Sequence, residues 1–348
     1  MPPRPGGVEM AAIVSVAGSS VGIGRTQLSF SHRRRAVLPR RLTGANFYNQ
    51  NVPELPEVET IARGVHDRVR GDRIVEAWFS SYPQPFKTPP AEQAHELAGR
   101  AILVVHRTGK HIVFELSSAA APDPAKNSAR TAASKSGAKG PDPQHPDAQW
   151  IVHLGMTGRL LVTASDGPLA PHTHARLQLA SGRELRFVDP RRFGRLEFRN
   201  LKAGAGFAPP GSEPLDINAS EFAALFRGRR MPIKAALLNQ SLLAGVGNIY
   251  ADESLFRAGI RPRRRTHRIA IADYDRLRLS LREVLRLAIR LGGSSVSDYV
   301  DADGSPGFFQ LEHCVYQRTG EPCRQCGTPI QRILVAGRGT HYCPKCQR

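Results

Sequence analysis

The feature that most constrains this chain is a set of four cysteines close to its C-terminus. Cys323 and Cys326 are separated by two residues, sixteen residues follow, and Cys343 and Cys346 repeat the two-residue spacing. Each pair suits a tight turn that presents two thiolates to one ion, and four thiolates complete the tetrahedral shell of a structural zinc ion. Four ordinary free thiols are the alternative. The spacing favours a zinc site, with the fifth cysteine, Cys314, as a packing residue.

The charge of the chain indicates a polyanionic partner. The 348 residues include 49 Lys and Arg against 30 Asp and Glu, which gives a net charge of +19 and a pI of about 10.6. Nucleic acid and an anionic membrane are the two partners that such a surplus attracts. The chain has no run of about 18 apolar residues, which a membrane-spanning helix requires. We therefore expect a cytoplasmic protein that binds nucleic acid and does not enter a membrane.

The first 52 residues differ in composition from the rest. They contain seven Arg and one acidic residue, Glu9, together with many Pro, Gly and Ser, and they have no sustained hydrophobic periodicity. Such a composition predicts disorder. Because this segment carries +6 of the total of +19, residues 53–348 keep a net charge of +13.

The remaining residues divide by their hydrophobic patterns into a β-rich part and a helical part. Residues 54–70 have the spacing of a helix, and eight short strand-like segments between 73 and 198 predict a β-sandwich or barrel. Residues 117–149 are mostly small and polar and include no Val, Ile, Leu, Phe, Tyr or Trp before Trp150. This composition predicts a flexible insertion between two strands. From about residue 209 the spacing is helical, with starts expected at Ser220 and Pro232.

Two further segments carry chemistry that the spacing alone leaves open. The glycines of Leu243–Asn248 precede a helix, where they either cap it or present backbone N–H groups to an anion. The run Asp189–Gly194 displays two arginines and Phe193, which form either a solvated turn or a DNA contact whose ring wedges into a base step.

Six ordered segments together resemble the bacterial formamidopyrimidine-DNA glycosylases of the Fpg/Nei family of DNA glycosylase/AP lyases. The segments that carry the resemblance are Pro53–Thr60, Arg107–His111, His153–Gly158, Asp189–Gly194, Gly245–Glu253 and Cys323–Cys346. The resemblance implies an α+β fold with an N-terminal helix and β-sandwich domain over residues 53–208. It also implies a helical domain with a helix–two-turns–helix motif over 209–312 and a four-cysteine zinc-finger hairpin over 313–348.

The resemblance assigns a role to individual residues. Pro53 matches the amine nucleophile, Glu54 the general acid, Lys110 the lysine that assists β-elimination, and Arg338 the zinc-finger arginine linked to δ-elimination. The implied backbone contacts are His172, Arg229 and Asn248, and Lys234 is the implied contact near the lesion. Met156, Arg191 and Phe193 are the implied trio that fills the space of the everted base. Glu57 is the implied glutamate of the lesion pocket. The implied zinc ligands are Cys323, Cys326, Cys343 and Cys346.

The resemblance also implies a substrate and a partner. The sequence of Pro53–Glu59 and the trio resemble those of the branch of the family that removes 8-oxoguanine and formamidopyrimidines. Asp301–Phe309 resembles the loop that closes over the lesion in that branch. The expected partner is double-stranded DNA with an oxidised purine, bound by a monomer. Oxidised-pyrimidine specificity of the endonuclease VIII type, a catalytically silent DNA-binding protein and a zinc-ribbon RNA-binding module are the alternatives.

The position of Pro53 places a condition on the enzymatic interpretation. A proline inside a chain has an amide nitrogen, which has no free lone pair for nucleophilic attack. We therefore expect the working protein to begin at Pro53, with Val52 as a GTG initiator that is later removed. Cleavage of a transit peptide after Val52 is the alternative route.

Overall fold

The structure is a computed structural model that describes residues 52–82, 86–118, 145–295 and 299–348. The expected disorder of the N-terminal segment and the centre of the 117–149 insertion lie outside these ranges. Within them the helices are α1 (Leu55–Val69), α2 (Pro90–Leu97), α3 (Ala219–Phe226), α4 (Ile233–Leu237), α5 (Asn248–Arg257) and α6 (Ile271–Arg290). The strands are β1 (Ile74–Phe79), β2 (Ala101–Thr108), β3 (His111–Ser117), β4 (Ala148–His153), β5 (Arg159–Ala164), β6 (Thr173–Leu179), β7 (Arg183–Val188), β8 (Arg195–Asn200), β9 (Gln331–Val335) and β10 (Arg338–Tyr342).

The first eight strands form a β-sandwich, as expected. Two antiparallel four-stranded sheets have the orders β1-β6-β7-β5 and β2-β3-β4-β8. Alternating apolar side chains from both sheets enclose one core, in which Phe114 and Trp150 are cross-strand partners with ring centroids 5.0 Å apart. Such aromatic pairs add to the stability that burial provides.

Helix α1 joins the sandwich to the helical domain. Val58, Ile61 and Val65, at helical spacing, are buried in the sandwich core, whereas Leu55 at the start of the helix is buried in the core of the helical domain. The Leu55 N–H donates to the Gly245 carbonyl at 3.0 Å. Helix α1 is therefore packed into both cores, and this packing fixes the residues at its N-terminus.

Helices α3 to α6 pack around a core of Phe222, Phe226, Tyr250, Tyr274 and neighbouring aliphatic residues. Residues 238–247 connect α4 to α5 through two turns, which is the helix–two-turns–helix arrangement that the resemblance implies. No helix among the described residues is long and apolar enough to cross a membrane.

Several element boundaries differ from the sequence-based prediction, each for a local reason. Helix α3 begins after Asn218 rather than at Ser220, because the Asn218 side chain caps it by accepting the Glu221 N–H at 2.9 Å. It ends at Phe226, since Gly228 takes the left-handed conformation with φ of 77°. Pro232 precedes α4 as its cap and does not lie inside it.

Helix α2 was not predicted, because its buried side is partly polar. Gln93 is completely buried, accepts the Trp150 indole N–H at 3.1 Å and donates to the Thr88 carbonyl at 2.8 Å. The apolar periodicity by which a helix is recognised in sequence is therefore weak here.

The 117–149 insertion is shorter at its ends than the prediction, because Ser117 belongs to β3 and Gln149 to β4. Leu116 and Ala148 are direct partners in the antiparallel register. The Gln149 side chain donates to Glu115 at 2.8 Å and accepts the Phe207 N–H at 2.7 Å, which fixes the end of β4.

Replacement of residues 119–144 by a short turn is expected to leave folding intact. Strands β3 and β4 are already adjacent, so a shorter connection changes the loop-closure free energy by only about 1–2 kcal/mol. Denaturant unfolding followed by circular dichroism measures this. A matched deletion of 117–149 removes the strand ends and is expected to destabilise the protein strongly. Equal destabilisation by both deletions would contradict the prediction.

Candidate active site and zinc centre

The candidate site is built first by Glu57, which anchors the start of α1. Its carboxylate is buried and accepts hydrogen bonds from the Glu54 N–H at 2.9 Å, from the Ser294 N–H at 2.8 Å and from the Tyr250 hydroxyl. Burial raises the pKa of Glu57, and these hydrogen bonds oppose the increase. Glu57 is therefore directed into the protein, where it fixes the first residues of α1.

The Glu54 carboxyl group lies against the N-terminus of α5. It accepts the Ile249 N–H at 3.1 Å, and Gly247 makes room for it, since a Cβ at that position would lie 2.1 Å from the Glu54 Cδ. Burial raises the pKa of Glu54 to about 7, although the positive charge of Lys110 opposes this shift. The carboxyl group can therefore carry a proton near neutral pH, as a general acid requires.

A cavity of about 160 Å³ brings together residues from three parts of the chain. Glu54 lines it from the start of α1, Lys110 from the β2–β3 turn, and Arg338 from the first position of β10. Asn248 also lines it, as does Val52, which precedes the buried Pro53. Burial lowers the pKa of Lys110, while Glu54 and Glu57 raise it.

Asn248 is in direct contact with the hairpin that β9 and β10 form. The Asn248 amide donates to the Gly339 carbonyl at 3.1 Å, next to Arg338. The hairpin turn uses Ala336 and Gly337, both with positive φ, which is the geometry of a tight two-residue turn between antiparallel strands. Arg338 therefore projects from a fixed turn over the cavity.

Lys234 is completely buried among protein groups in this structure. It was expected to contact DNA near the lesion, but its side chain is 0% exposed. Its ammonium group lies 2.7 Å from the Asp252 carboxylate and donates to the Gly339 carbonyl at 3.0 Å and to the Thr340 hydroxyl at 2.8 Å. All three donors are directed to protein groups. In this structure Lys234 therefore supports the β9–β10 hairpin, and its contact with DNA near the lesion stays a prediction.

The expected trio lies together on two loops that Asp189 connects. The buried Asp189 carboxylate accepts the Thr157 hydroxyl at 2.7 Å and the Gly194 N–H at 2.7 Å, so the loop of Met156 is joined to the loop of Phe193. Phe193 is 49% exposed, and the Arg191 guanidinium lies 5.1 Å from its ring centroid. An exposed aromatic ring and cation on a rigid turn suit insertion into a base stack.

His172 and Arg229 do not line the cavity. His172 is exposed beside the Asp189 turn, where its carbonyl accepts the Asp189 N–H at 3.0 Å. Arg229 is exposed on the turn after α3, and its Nε donates to the Leu225 carbonyl at 2.9 Å. Both positions are open to a partner molecule.

The four cysteines form the predicted zinc centre. Their sulfur atoms all lie within 4.8 Å of one another; Cys323 and Cys346 are 3.9 Å apart, and Cys326 and Cys343 are 3.5 Å apart. A tetrahedral ion with Zn–S bonds of about 2.3 Å requires S–S separations of roughly 3.8 Å. The residues therefore fit one structural zinc ion. Cys314 is outside the cluster, and its N–H donates to Glu253.

Sequence reasoning missed three residues that build the site: Tyr250, Asp252 and Ser294. Tyr250 and Asp252 lie within the Gly245–Glu253 segment, but only the tertiary structure shows that one binds Glu57 and the other binds Lys234. Asp252 also accepts the His341 N–H at 2.8 Å, so it holds β10 by a second contact.

Comparisons with known proteins agree with this architecture. Three family models match: the formamidopyrimidine-DNA glycosylase N-terminal domain over residues 52–196, the formamidopyrimidine-DNA glycosylase H2TH domain over 210–300, and the zinc finger found in FPG and IleRS over 320–348.

Individual relatives give the same result. A formamidopyrimidine-DNA glycosylase of Solibacter usitatus is 44% identical over 297 residues, which cover 85% of this chain and 100% of the relative. One of Burkholderia mallei is 40% identical, with the same coverage. A crystal structure of a Lactococcus lactis FPG variant with Fapy-dG-containing DNA is 35% identical, with a TM-score of 0.69 over 85% of this chain and 100% of that one. A Lactococcus lactis Fpg complex with abasic-site DNA scores equally over 99% of that chain.

The fold and the site define a zinc-finger DNA-repair glycosylase built from a β-sandwich and a helix–two-turns–helix domain. Identities of 40–44% over 85% of the chain and the full length of the relatives make the assignment specific. The chain belongs to the formamidopyrimidine-DNA glycosylase family.

Substitution Cys343→Ser is expected to remove zinc and to weaken binding to duplex DNA. Loss of one thiolate opens the tetrahedral shell, and the hairpin that carries Arg338 depends on the metal for its folding. Elemental analysis gives the zinc content, and fluorescence anisotropy gives the DNA affinity. Cys314→Ser is the matched control and is expected to keep both. Unchanged zinc content and binding in Cys343→Ser would contradict the assignment.

Proposed function

We propose that this chain is a bifunctional DNA glycosylase and AP lyase that excises oxidised purines, 8-oxoguanine and formamidopyrimidines, in base excision repair. The convergence of Glu54, Lys110 and Arg338 on one cavity beside Pro53 is the observation that carries the proposal. Three separated segments place an acid, an amine and a guanidinium around one space, next to the residue expected to supply the nucleophile.

Pro53 acts as the nucleophile when its nitrogen is a free secondary amine. An α-amino group titrates near ~7.7–8.0, so a larger fraction is neutral at cellular pH than for lysine. Its lone pair forms a bond to the sugar C1′ while the bond to the damaged base breaks. Ring opening then gives an iminium, which withdraws electrons and acidifies the adjacent C–H bond. Loss of the proton from that carbon, C2′, breaks the C3′–O bond and releases the 3′ phosphate by β-elimination. Loss of a second proton, from C4′, then breaks the C5′–O bond and releases the 5′ phosphate by δ-elimination.

The cavity residues supply the protons and the charge for these steps. Glu54 protonates the sugar ring oxygen as it opens, which its raised pKa permits at neutral pH. Lys110 assists β-elimination, and its lowered pKa makes a neutral amine more accessible. Arg338 binds the departing phosphate and assists δ-elimination from the hairpin turn above the cavity.

The rest of the proposed DNA interface explains how the base reaches the cavity. The target bond lies inside a duplex, so the nucleotide has to be everted first. Met156 and Phe193 fill the vacated space in the stack, and Arg191 donates to the partner base that remains. His172, Arg229 and Asn248 contact the backbone, and Glu57 shapes the lesion pocket through the loop around Ser294.

The substrate class is the finer part of the proposal. Structures of Lactococcus lactis Fpg contain DNA with Fapy-dG, with N7-benzyl-Fapy-dG and with an oxidised pyrimidine. The purine proposal rests on the Pro53–Glu59 pattern and on the trio. Competition between 8-oxoguanine and oxidised-pyrimidine duplexes in one reaction tests it, and preferential excision of the pyrimidine would overturn it.

A chain that begins at Pro53 is expected to form a covalent adduct with an 8-oxoguanine duplex when borohydride is present, because the iminium is reduced to a stable amine. A matched chain that retains Val52 is expected to form none, since its Pro53 nitrogen is an amide. Denaturing electrophoresis detects the adduct.

Mass spectrometry of the N-terminus of the native protein accompanies the trapping experiment. The match of the family model from residue 52 favours a working chain that starts at Pro53. Binding without any adduct from the chain that begins at Pro53 would favour the catalytically silent alternative. Active native protein that starts at Met1 would refute the requirement for a free Pro53.

The excision rate of the chain that begins at Pro53 is expected to decline as the pH rises through about 7, because Glu54 then loses its proton. The protonated form of Glu54 is the donor, and burial raises its pKa to about 7. Glu54→Gln is expected to lower the single-turnover rate by about 10²–10⁴ and to remove this pH dependence. Glu92→Gln, on the exposed side of α2, is the control. An unchanged profile in Glu54→Gln would exclude this role.

A further inference from the structure

A group of exposed arginines lies on two segments of the helical domain that the proposed mechanism uses only in part. We define the arginine strip as Arg229, Arg230, Arg263, Arg265 and Arg268, which are all exposed. The first two lie on the turn between α3 and α4, and the other three lie between α5 and α6. Only Arg229 has a role in the proposed function, as a backbone contact.

The two segments are fixed side by side. The Thr266 N–H donates to the Met231 carbonyl at 3.0 Å, and Pro232 and Arg265 form an antiparallel bridge. Thr266 is completely buried, and Ile269 is buried in the helical core. The buried residues between the arginines hold the backbone, so the exposed side chains start from a rigid base.

The strip has no local counter-charge. Neither residues 222–251 nor residues 254–272 contain an Asp or a Glu. Among the described residues, no arginine of the strip forms an ion pair, whereas the neighbouring Arg264 is 3.1 Å from Asp273. Uncompensated guanidinium groups on one surface produce a positive potential that attracts a polyanion.

Main-chain carbonyls orient the guanidinium groups. Arg229 donates to the Leu225 carbonyl, Arg263 to the Leu334 carbonyl at 3.1 Å, and Arg265 to the Arg230 carbonyl at 2.9 Å. A guanidinium has five N–H donors, so one such bond positions the group and leaves other donors for phosphate oxygens. A solvated run of charges does not require this ordering.

The strip is continuous with the candidate active site. Arg263 contacts Leu334 on β9, which pairs with Gly339, and Gly339 follows the cavity residue Arg338 on β10. Arg265 contacts the turn that carries Arg229. A nucleic-acid backbone that passes the cavity can therefore continue along the strip, which favours DNA over an unrelated polyanion.

We propose that the arginine strip binds phosphates of the duplex that flanks the lesion, so that the footprint on DNA extends beyond the everted nucleotide. This inference rests on the proposed function, because it takes lesion-containing DNA as the ligand. The added interactions are electrostatic and independent of sequence, and they support retention of the enzyme on long DNA.

The test is a triple substitution, Arg263→Gln, Arg265→Gln and Arg268→Gln, measured for duplex affinity over a range of salt concentrations. On a duplex of about 30 base pairs, affinity is expected to fall about tenfold or more, and the salt slope to decrease by about 3, roughly one for each phosphate that is no longer neutralised. As the flanks are shortened to about 10 base pairs in total, the difference from the unsubstituted protein is expected to disappear.

A matched triple substitution, Arg70→Gln, Arg286→Gln and Arg290→Gln, removes the same charge from exposed positions outside the strip. It is expected to keep affinity and slope close to those of the unsubstituted protein. Equal decreases in both variants or an unchanged slope in the strip variant would overturn the proposal. Excision by the unsubstituted protein is measured on the same duplexes, so failure of the proposed function is detected separately.

Discussion

The buried carboxylate of Glu57 is the interaction on which the candidate site depends. A carboxylate removed from water is strongly destabilising unless hydrogen bonds replace its hydration. Glu57 receives them from the Glu54 N–H, the Tyr250 hydroxyl and the Ser294 N–H, which belong to the start of α1, to α5 and to the segment after α6. The requirement to satisfy one charge therefore joins three elements, and it fixes the backbone that follows Pro53.

Helix α5 performs the corresponding task for the zinc-finger hairpin. Asn248 and Asp252 are four residues apart and face β10: Asn248 binds the Gly339 carbonyl, and Asp252 accepts the His341 N–H and pairs with Lys234. The next residue, Glu253, accepts three successive backbone N–H groups of residues 314–316. These contacts hold the hairpin in addition to the zinc ion. The direction in which Arg338 projects is determined by α5 as well as by the metal.

Sequence alone predicted those parts of the structure that have a local or a repeated pattern. The cysteine spacing predicted the zinc centre, and alternation predicted the strands of the sandwich. Of the residues that the ordered motifs single out, Glu54, Lys110, Asn248 and Arg338 line one cavity. Buried polar contacts have no such pattern. Helix α2 depends on Gln93 bonded to Trp150, and the burial of Lys234 depends on Asp252, with which it is paired only in the folded chain. The resemblance implies a DNA contact for Lys234, and only the folded chain shows that this lysine also supports the hairpin.

The distribution of acidic residues explains why so basic a protein can also carry acid chemistry. Glu54, Glu57, Asp189, Asp252 and Glu253 are all nearly or completely buried, and each accepts backbone N–H groups. Carboxylates that hold loops and helix starts in the interior are not available to neutralise cations at the surface. The surplus of +13 on residues 53–348 is therefore expressed at the surface, where a phosphate backbone meets it. The same burial raises the pKa of Glu54, so one arrangement of charge serves both DNA binding and proton donation.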